Sequence, residues 1–206
     1  MIKLKIIFKN NKFLFRFVAL LILLLVWKTA DAQHFGIKTN TLYLATTTPN
    51  IGFEAALSKK VTLSFTSAYN PFSFPSRVND EGRTIHPHLR HWLIMPEIKY
   101  WFCKSFQRGN LGLHAIYGKY NFGGIPISNS LKDYRYQGDA VGGGISYGYQ
   151  WAVGERWGLE ASLGDGYLHM NYKKYECAEC GDFVDKLTRN YVGPTKAALS
   201  LIYYLK

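Results

Sequence analysis

The chain has 206 residues, of which 48% are hydrophobic and 19% charged, which excludes wholesale disorder and suits one ordinary domain. The formal net charge of +11 would suggest a nucleic-acid partner. However, residues 1–32 hold six of the basic residues and one acidic residue. Residues 33–206 keep 19 basic against 13 acidic residues, a modest excess, so we expect no nucleic-acid partner.

The first 32 residues have the three-part pattern of a secretory signal peptide. A basic start precedes an unbroken apolar run at 17–27, and Ala30 and Ala32 then supply the small residues of a cleavage site. The run is too short to cross a bilayer comfortably, since a spanning helix needs about 20 apolar residues. We therefore predict a cleavable signal peptide at 1–32 and one domain at 33–206; an uncleaved anchor is the alternative.

Strand-like alternation of apolar and polar residues continues through the rest of the chain. In the clearest case Trp92, Ile94 and Ile98 share one parity, whereas Glu97 and Lys99 share the other. Successive side chains of a strand point to opposite faces of its sheet. The pattern predicts eight strands, near 35–45, 51–58, 61–69, 91–102, 111–118, 140–151, 157–164 and 196–205.

The connections between these strands differ systematically in length. Those at 70–88, 123–137 and 173–190 are long, whereas the alternate ones are short, as in a membrane barrel with tight turns at one end. One face of the strands is apolar and the other is small, polar and rich in glycine. We therefore predict an all-β fold, an eight-stranded antiparallel up-and-down transmembrane β-barrel with its apolar face in lipid. Strand-end aromatic residues, Trp101 among them, are expected at the membrane–water boundary. A soluble barrel or a β-sandwich is the alternative.

Charged residues of the predicted inner face balance in sign. A lone charge inside a narrow barrel is costly, so we expect these side chains to pair into a network that fills the lumen. A narrow gated pore, in which the pairs exchange partners, is the alternative. The predicted network comprises Lys38, Glu54, Glu97, Lys99, Glu160 and Lys196.

Cysteine and histidine give weak signals. Cys177 and Cys180 lie in a predicted exported loop, where a local disulfide is expected. His86, His88 and His91 cluster in sequence, but no matching ligands accompany them, so we predict neither a metal site nor a cofactor.

No catalytic residue is assigned from the sequence. Serine and histidine on the inner face are scattered over several strands without a local motif. A lipid-modifying enzyme would need Ser162, His114 and Glu160 to converge at one depth. We therefore predict a protein without enzymatic activity and keep that enzyme as an alternative.

Nearly all of residues 35–206 resemble an uncharacterised outer-membrane barrel family of Bacteroidota, domain-of-unknown-function family 3575, and two segments carry the resemblance most clearly. The first contains Pro96, Glu97, Tyr100 and Trp101; the second is the run 193–196. The second run consists of Gly193, Pro194, Thr195 and Lys196. Because proline cannot donate to a ladder, we expect a bulge or irregular pairing at Pro96 and a second irregularity at Pro194. The resemblance implies an OmpA-like eight-stranded barrel and no known activity. The chain ends in Leu205 and Lys206, whereas such barrels usually end in an aromatic residue.

These expectations combine into a small monomeric outer-membrane protein of a Gram-negative cell, with a structural or surface-display role. Its partners would be the barrel-insertion machinery, outer-membrane lipid or lipopolysaccharide, and a surface protein or glycan bound by the long loops. Aromatic and arginine side chains suit such contacts. The candidate loop residues are Phe72, Phe74, Arg77, Arg83, Tyr134 and Arg135. A soluble periplasmic barrel that binds a ligand is a further alternative.

Overall fold

The computed structural model describes residues 35–78, 84–85, 87–124, 134–175 and 183–205. The predicted signal peptide, Arg83 and the pair Cys177 and Cys180 lie outside these ranges. Within them, no helix is long and apolar enough to cross a membrane.

Eight antiparallel strands close into a barrel, and one short helix and a two-stranded hairpin accompany them. The ring order is β1-β10-β9-β8-β7-β6-β3-β2, so each barrel strand pairs with its neighbours in sequence and the last pairs with the first. The elements are β1 Phe35–Asn40, α1 Thr41–Ala45, β2 Asn50–Ala56, β3 Val61–Asn70, β4 Arg77–Val78, β5 Thr84–Ile85, β6 His88–Trp101, β7 Arg108–Gly123, β8 Arg135–Ala152, β9 Trp157–Tyr175 and β10 Phe183–Leu205. The prediction of eight antiparallel up-and-down strands is confirmed.

The register of the ladders sets the tilt of the strands. Paired residues followed around the ring from Phe35 lead to Pro194 on β10. Phe35 itself pairs with Leu205, eleven positions farther along, and one of these positions is an extra residue between Pro194 and Lys196. The shear is therefore ten residues. With a rise of about 3.3 Å and a strand spacing of about 4.8 Å, the strands tilt by about 40° from the barrel axis.

The wall of the barrel is uneven in height. Tight connections at 57–60, 102–107 and 153–156 form one end, called here the turn end. Measured from that end, β1 and β2 are only 6 and 7 residues long, whereas β8, β9 and β10 have 18, 19 and 23 residues. The opposite, open end therefore has a low wall, β1–β2, and a tall wall, β8–β10.

The first strand is shorter than predicted. It ends at Asn40 instead of continuing to Ala45, because the Asn40 side chain accepts a hydrogen bond from the Leu42 amide at 3.1 Å and caps α1. An asparagine side chain that bonds the nearby backbone in this way favours a helix start over a continued ladder.

The tall-wall strands are longer than predicted. Arg135 pairs with Tyr175, and Lys174 pairs with Asp185, inside segments predicted to be loops. Both faces of these strand ends are partly or fully exposed, so apolar alternation no longer marks them. The hairpin β4–β5 also lies within a predicted loop.

Two prolines affect the ladders differently. The pairing is irregular at Pro96, as expected, but without a bulge, because β6 keeps one register with β7 on both sides of it. Met95 and Pro96 simply form no pair with β7, because proline lacks an N–H donor. Pro194 lies at a true register shift, as expected.

Glycine allows β8 and β9 to approach each other closely. A Cβ atom on Gly142 would overlap the carbonyl oxygen of Tyr167, and one on Gly144 would overlap that of Asp165. The inner surfaces of the two strands therefore come too close here for any side chain.

Candidate functional site

An aromatic cluster closes the lumen at the turn end. Trp101 is fully buried there and packs with Phe106, Ala56 and Tyr204. Its indole Nε1 donates to the Thr62 hydroxyl at 3.0 Å. Trp101 was expected among the outward boundary aromatics, and this is wrong: it follows the inward parity of Glu97 and Lys99, where an indole needs a polar partner.

A four-charge cluster, consisting of Lys38, Glu54, Lys99 and Glu160, fills the next layer. Lys99 Nζ lies 2.9 Å from Glu54 Oε2 and 2.5 Å from Glu160 Oε1. Lys38 Nζ lies 3.0 Å from Glu54 Oε2. The Thr62 hydroxyl donates to the remaining Glu54 oxygen at 2.7 Å. Each side chain comes from a different strand, so the cluster ties β1, β2, β6 and β9 together across the lumen.

A second ion pair lies farther from the turn end. Lys196 Nζ donates to both oxygens of Glu97, at 2.6 and 2.8 Å, and Ser146 donates to Glu97 Oε1 at 2.6 Å. All six charged residues that the alternation assigned to the inner face are thus buried. The structure brings them together as a cluster of four and a pair, with three acids balancing three bases.

Little space remains beside these charges. The cavity lined by Lys38, Tyr43, Glu160 and Lys196 has a volume of about 20 Å³, roughly the room that one water molecule needs. Tyr43 projects from α1 into this lining. On the open side of the charges, Ala68, Met95 and Ile116 add a buried apolar layer. This arrangement can hold the strands in register, but it offers no wide polar path.

The residues considered for catalysis do not form a triad. His114 Nε2 lies 2.9 Å from the Thr195 hydroxyl, and Ser146 donates to Glu97 instead of to a histidine. No hydrogen bond among the described residues joins Ser162, His114 and Glu160, and all three are buried.

The described histidines of the sequence cluster lie apart from any metal-ligand set. His88 Nε2 lies 3.2 Å from the Asn121 amide oxygen, and His91 Nδ1 lies 3.1 Å from the Leu89 carbonyl oxygen. His86 is outside the described ranges. Within those ranges, no group of three or more His, Cys, Asp or Glu side chains could hold a metal ion.

A cavity of about 540 Å³, called here the cup, occupies the open end. One cross-strand row runs through it, in which each residue pairs with the next. Its members are Asn70, His91, Tyr120, Gly138 and Tyr172. Each of these residues is the middle one of three consecutive residues that line the cup. Each also has the parity that places side chains inside the barrel. The cup therefore lies inside the barrel wall and opens away from the turn end.

Aromatic rings dominate the side chains around this row. Tyr120 stacks on Phe122 with ring centroids 5.1 Å apart, and His91 meets the edge of Phe122 at 5.7 Å. Tyr136 and Tyr172 form an edge contact at 5.7 Å. Sequence analysis missed this group because the inward parity of β7, β8 and β9 was not followed beyond the predicted strand ends.

The predicted loop residues are spread over the open end. Phe72 is exposed and Phe74 is half-buried. Tyr134 lies beneath the Lys174 ammonium at 3.5 Å. Arg135 is the first residue of β8, not a loop residue, and its guanidinium lies 4.3 Å from the Tyr175 ring. The side chain of Arg77 and all of Arg83 lie outside the described part of the chain.

Comparison with known proteins gives a family but no activity. The model of a family described as a protein of unknown function (DUF3575) matches residues 18–205. No curated protein matches the chain.

Proposed function

We propose that this chain, which belongs to the DUF3575 family, is a monomeric outer-membrane barrel with a closed lumen that displays its tall wall and cup at the cell surface. The observation that carries the proposal is the inverted polarity of the barrel. Leu113, Ile145 and Leu163 are 61%, 62% and 71% exposed, whereas Glu54 and Lys99 are fully buried. Water disfavours such an exterior, and a lipid bilayer favours it.

The height of the apolar surface fits a bilayer. Outward residues of β8 are apolar or glycine from Val141 to Trp151, a span of ten residues. A rise of about 3.3 Å per residue and a tilt of about 40° convert this span to about 25 Å along the barrel axis, the usual height of the apolar band of membrane barrels.

Aromatic side chains lie at both margins of this band. At the turn end, Trp157 pairs with Tyr203 across β9 and β10, and Trp151 pairs with Leu159, which lies two residues from Trp157 on β9. At the same strand tilt, Tyr69, Trp92, Tyr117 and Tyr167 lie near the opposite margin. Such girdles mark the two membrane–water interfaces of outer-membrane barrels. The predicted signal peptide supports export to that membrane, where the insertion machinery would fold the chain.

The closed lumen favours display over transport. The four-charge cluster and the Lys196–Glu97 pair leave almost no cavity between the cup and the turn end. Surface partners of the cup and tall wall are a protein, a glycan or lipopolysaccharide.

A matched pair of substitutions tests the membrane proposal. Leu113→Asp places a charge inside the apolar band, whereas Val153→Asp places one in a turn, and the two positions are similarly exposed at 61% and 65%. We expect Leu113→Asp to reduce the folded barrel in the outer-membrane fraction severalfold and Val153→Asp to leave it unchanged. The amount is read from the unboiled band that shifts on heating.

The same gel distinguishes the alternatives. Equal tolerance of both aspartates, with the chain in the soluble periplasmic fraction, would contradict the membrane proposal. Stable conductance of the purified protein in planar bilayers would contradict the closed lumen.

A further inference from the structure

Among the described residues, the second edge of β10 has no strand partner over most of its length. β1 pairs with β10 only between Ser200 and Leu205. Beyond Ser200, the ladders of β10 within the described residues are all with β9. Every second residue of an antiparallel edge strand directs its N–H and C=O groups away from the sheet.

The part of this edge nearest the low wall is satisfied by side chains. Asn40 accepts from the Leu199 amide and donates to the Ala197 carbonyl, both at 3.1 Å. Thr41 donates to the Leu199 carbonyl at 2.7 Å. Pro194 has no N–H, and the Tyr191 hydroxyl donates to its carbonyl at 3.5 Å. This part lies inside the apolar band, where unpaired backbone groups are costly.

The phase of the ladder identifies the outward backbone groups farther up. Leu199 and Ala197 face Asn40, and their partners on β9 are Ala161 and Leu163. The β9–β10 ladder keeps this alternation up to Asn171. The N–H and C=O groups of the β10 residues opposite odd-numbered β9 residues therefore also point away from β9, and these are called here the outward backbone groups. Above the bulge these residues are Val192, Asn190 and Thr188.

This upper edge, defined as Thr188–Val192, is not satisfied in the same way. The side chains of Asn190 and Thr188 turn to β9, bonding His169 at 2.8 Å and Asn171 at 3.0 Å. Within the described residues no bond is made to the outward backbone groups of this edge. Just beyond it, the Asp185 carboxylate accepts from the Lys186 amide at 2.7 Å. The described part of the chain therefore satisfies this edge within the band and leaves it without partners above.

A second copy in the same membrane does not fit this edge. Two barrels related by an axis along the membrane normal would bring their β10 strands together at about 80°, twice the strand tilt. Neighbouring strands of a sheet cross at only about 20–25°. The partner strand must therefore come from a molecule other than a second barrel inserted beside the first in the same membrane.

The charge beside the edge indicates the chemistry of that strand. Lys173, Lys186 and Arg189 are exposed on β9 and β10, and Asp185 is the one acid among the described residues 171–175 and 183–192. We infer that the upper edge of β10 binds an acidic, extended segment of a partner protein as an added antiparallel strand. This inference rests on the proposed function, because display at the surface is what makes the edge accessible.

A defined peptide tests the inference without knowledge of the natural partner. The probe is a fluorescent ten-residue peptide of alternating Glu and Thr with blocked ends, mixed with the full-length protein in detergent micelles. Two control peptides have the same sequence but carry N-methyl groups on alternate residues, one on its Glu residues and the other on its Thr residues. We expect the fluorescence anisotropy of the unmodified peptide to rise when the protein is added. The N-methylated peptides should bind at least about tenfold more weakly, because they cannot complete a ladder. Equal binding of all peptides, or none, would overturn the inference.

A pair of variants locates the contact. Asn190→Pro removes an outward N–H, which an edge strand tolerates, and Asn190→Ala keeps it; both lose the same side-chain bond to His169. We expect binding about tenfold weaker for Asn190→Pro than for Asn190→Ala, with the heat shift of both preserved. Equal affinities of the two variants would contradict the site, and so would binding unaffected by Lys186→Glu with Arg189→Glu.

Failure of this inference is distinguishable from failure of the proposed function. A barrel that inserts in the outer membrane but ignores the peptide contradicts only the added strand. A chain that fails the Leu113→Asp and Val153→Asp comparison contradicts the membrane role itself.

Discussion

Lys99 is the residue on which the buried charges depend most. It is fully buried and bonds Glu54 and Glu160 at once. Lys99→Met would leave two carboxylates close together with only Lys38 to neutralise them. We expect the free energy of unfolding to fall by about 3–5 kcal/mol, measured by urea unfolding of the protein in detergent micelles.

The matched control is Lys59→Met in an exposed turn at the end of the barrel. It removes the same charge where solvent already screens it, so the free energy of unfolding should change by less than about 0.5 kcal/mol. A similar small change for Lys99→Met would show that the cluster does not support the fold.

Alternation alone identifies which charges face inward but not how they pair. Glu97 and Lys99 lie two residues apart, yet Lys99 bonds Glu160, 61 residues away, and Glu97 bonds Lys196, 99 residues away. These partners depend on the register and shear, which arise only when the ring closes. The placement of Trp101 at the boundary failed for a related reason: its aromatic character was weighed above its inward parity.

Among the elements, the end of β1 depends on Asn40. Its side chain caps α1 and also bonds two backbone groups on β10. Asn40→Ala would leave these groups without partners beside the apolar band. We expect a loss of about 2–3 kcal/mol in the free energy of unfolding, measured by thermal unfolding in micelles.

Asn190→Ala is the control for this substitution, since Asn190 is exposed and makes a single side-chain bond to His169. It should cost less than about 1 kcal/mol. If both alanines cost the same, Asn40 does not stabilise the low wall.

Strand ends were predicted well where one face of the strand is apolar, and poorly elsewhere. β6 begins and ends within three residues of its predicted limits because its outward residues from Trp92 to Tyr100 are all apolar. β10 begins at Phe183, well before the predicted 196. Its upper residues are exposed on both faces, so no period of two separates them. The cup and the upper edge lie in this unpredicted part, and no motif in the sequence marks them.

At the scale of the whole molecule, the middle of the barrel and its tall wall have different surfaces. Its middle has apolar side chains outside and charges inside, and its tall wall has polar, charged and aromatic side chains without a consistently apolar face. The low wall ends within the height of the apolar band, so α1 and the side chain of Asn40 complete the closure that strands provide elsewhere. In the proposed membrane orientation, only the tall wall and the cup extend beyond the bilayer on the open side.

Orientation follows from this asymmetry and can be read from a native cysteine. Cys103 is exposed in the connection 102–107 at the turn end, and tight turns of outer-membrane barrels face the periplasm. In cells producing a Cys177→Ser, Cys180→Ser variant, we expect a membrane-impermeant maleimide to label Cys103 only after the outer membrane is permeabilised. Adding Cys103→Ser and Thr188→Cys moves the thiol to the upper edge of β10, where intact cells should be labelled at once. Labelling in the opposite order would mean that the open end faces the periplasm. Binding partners of the tall wall would then be periplasmic.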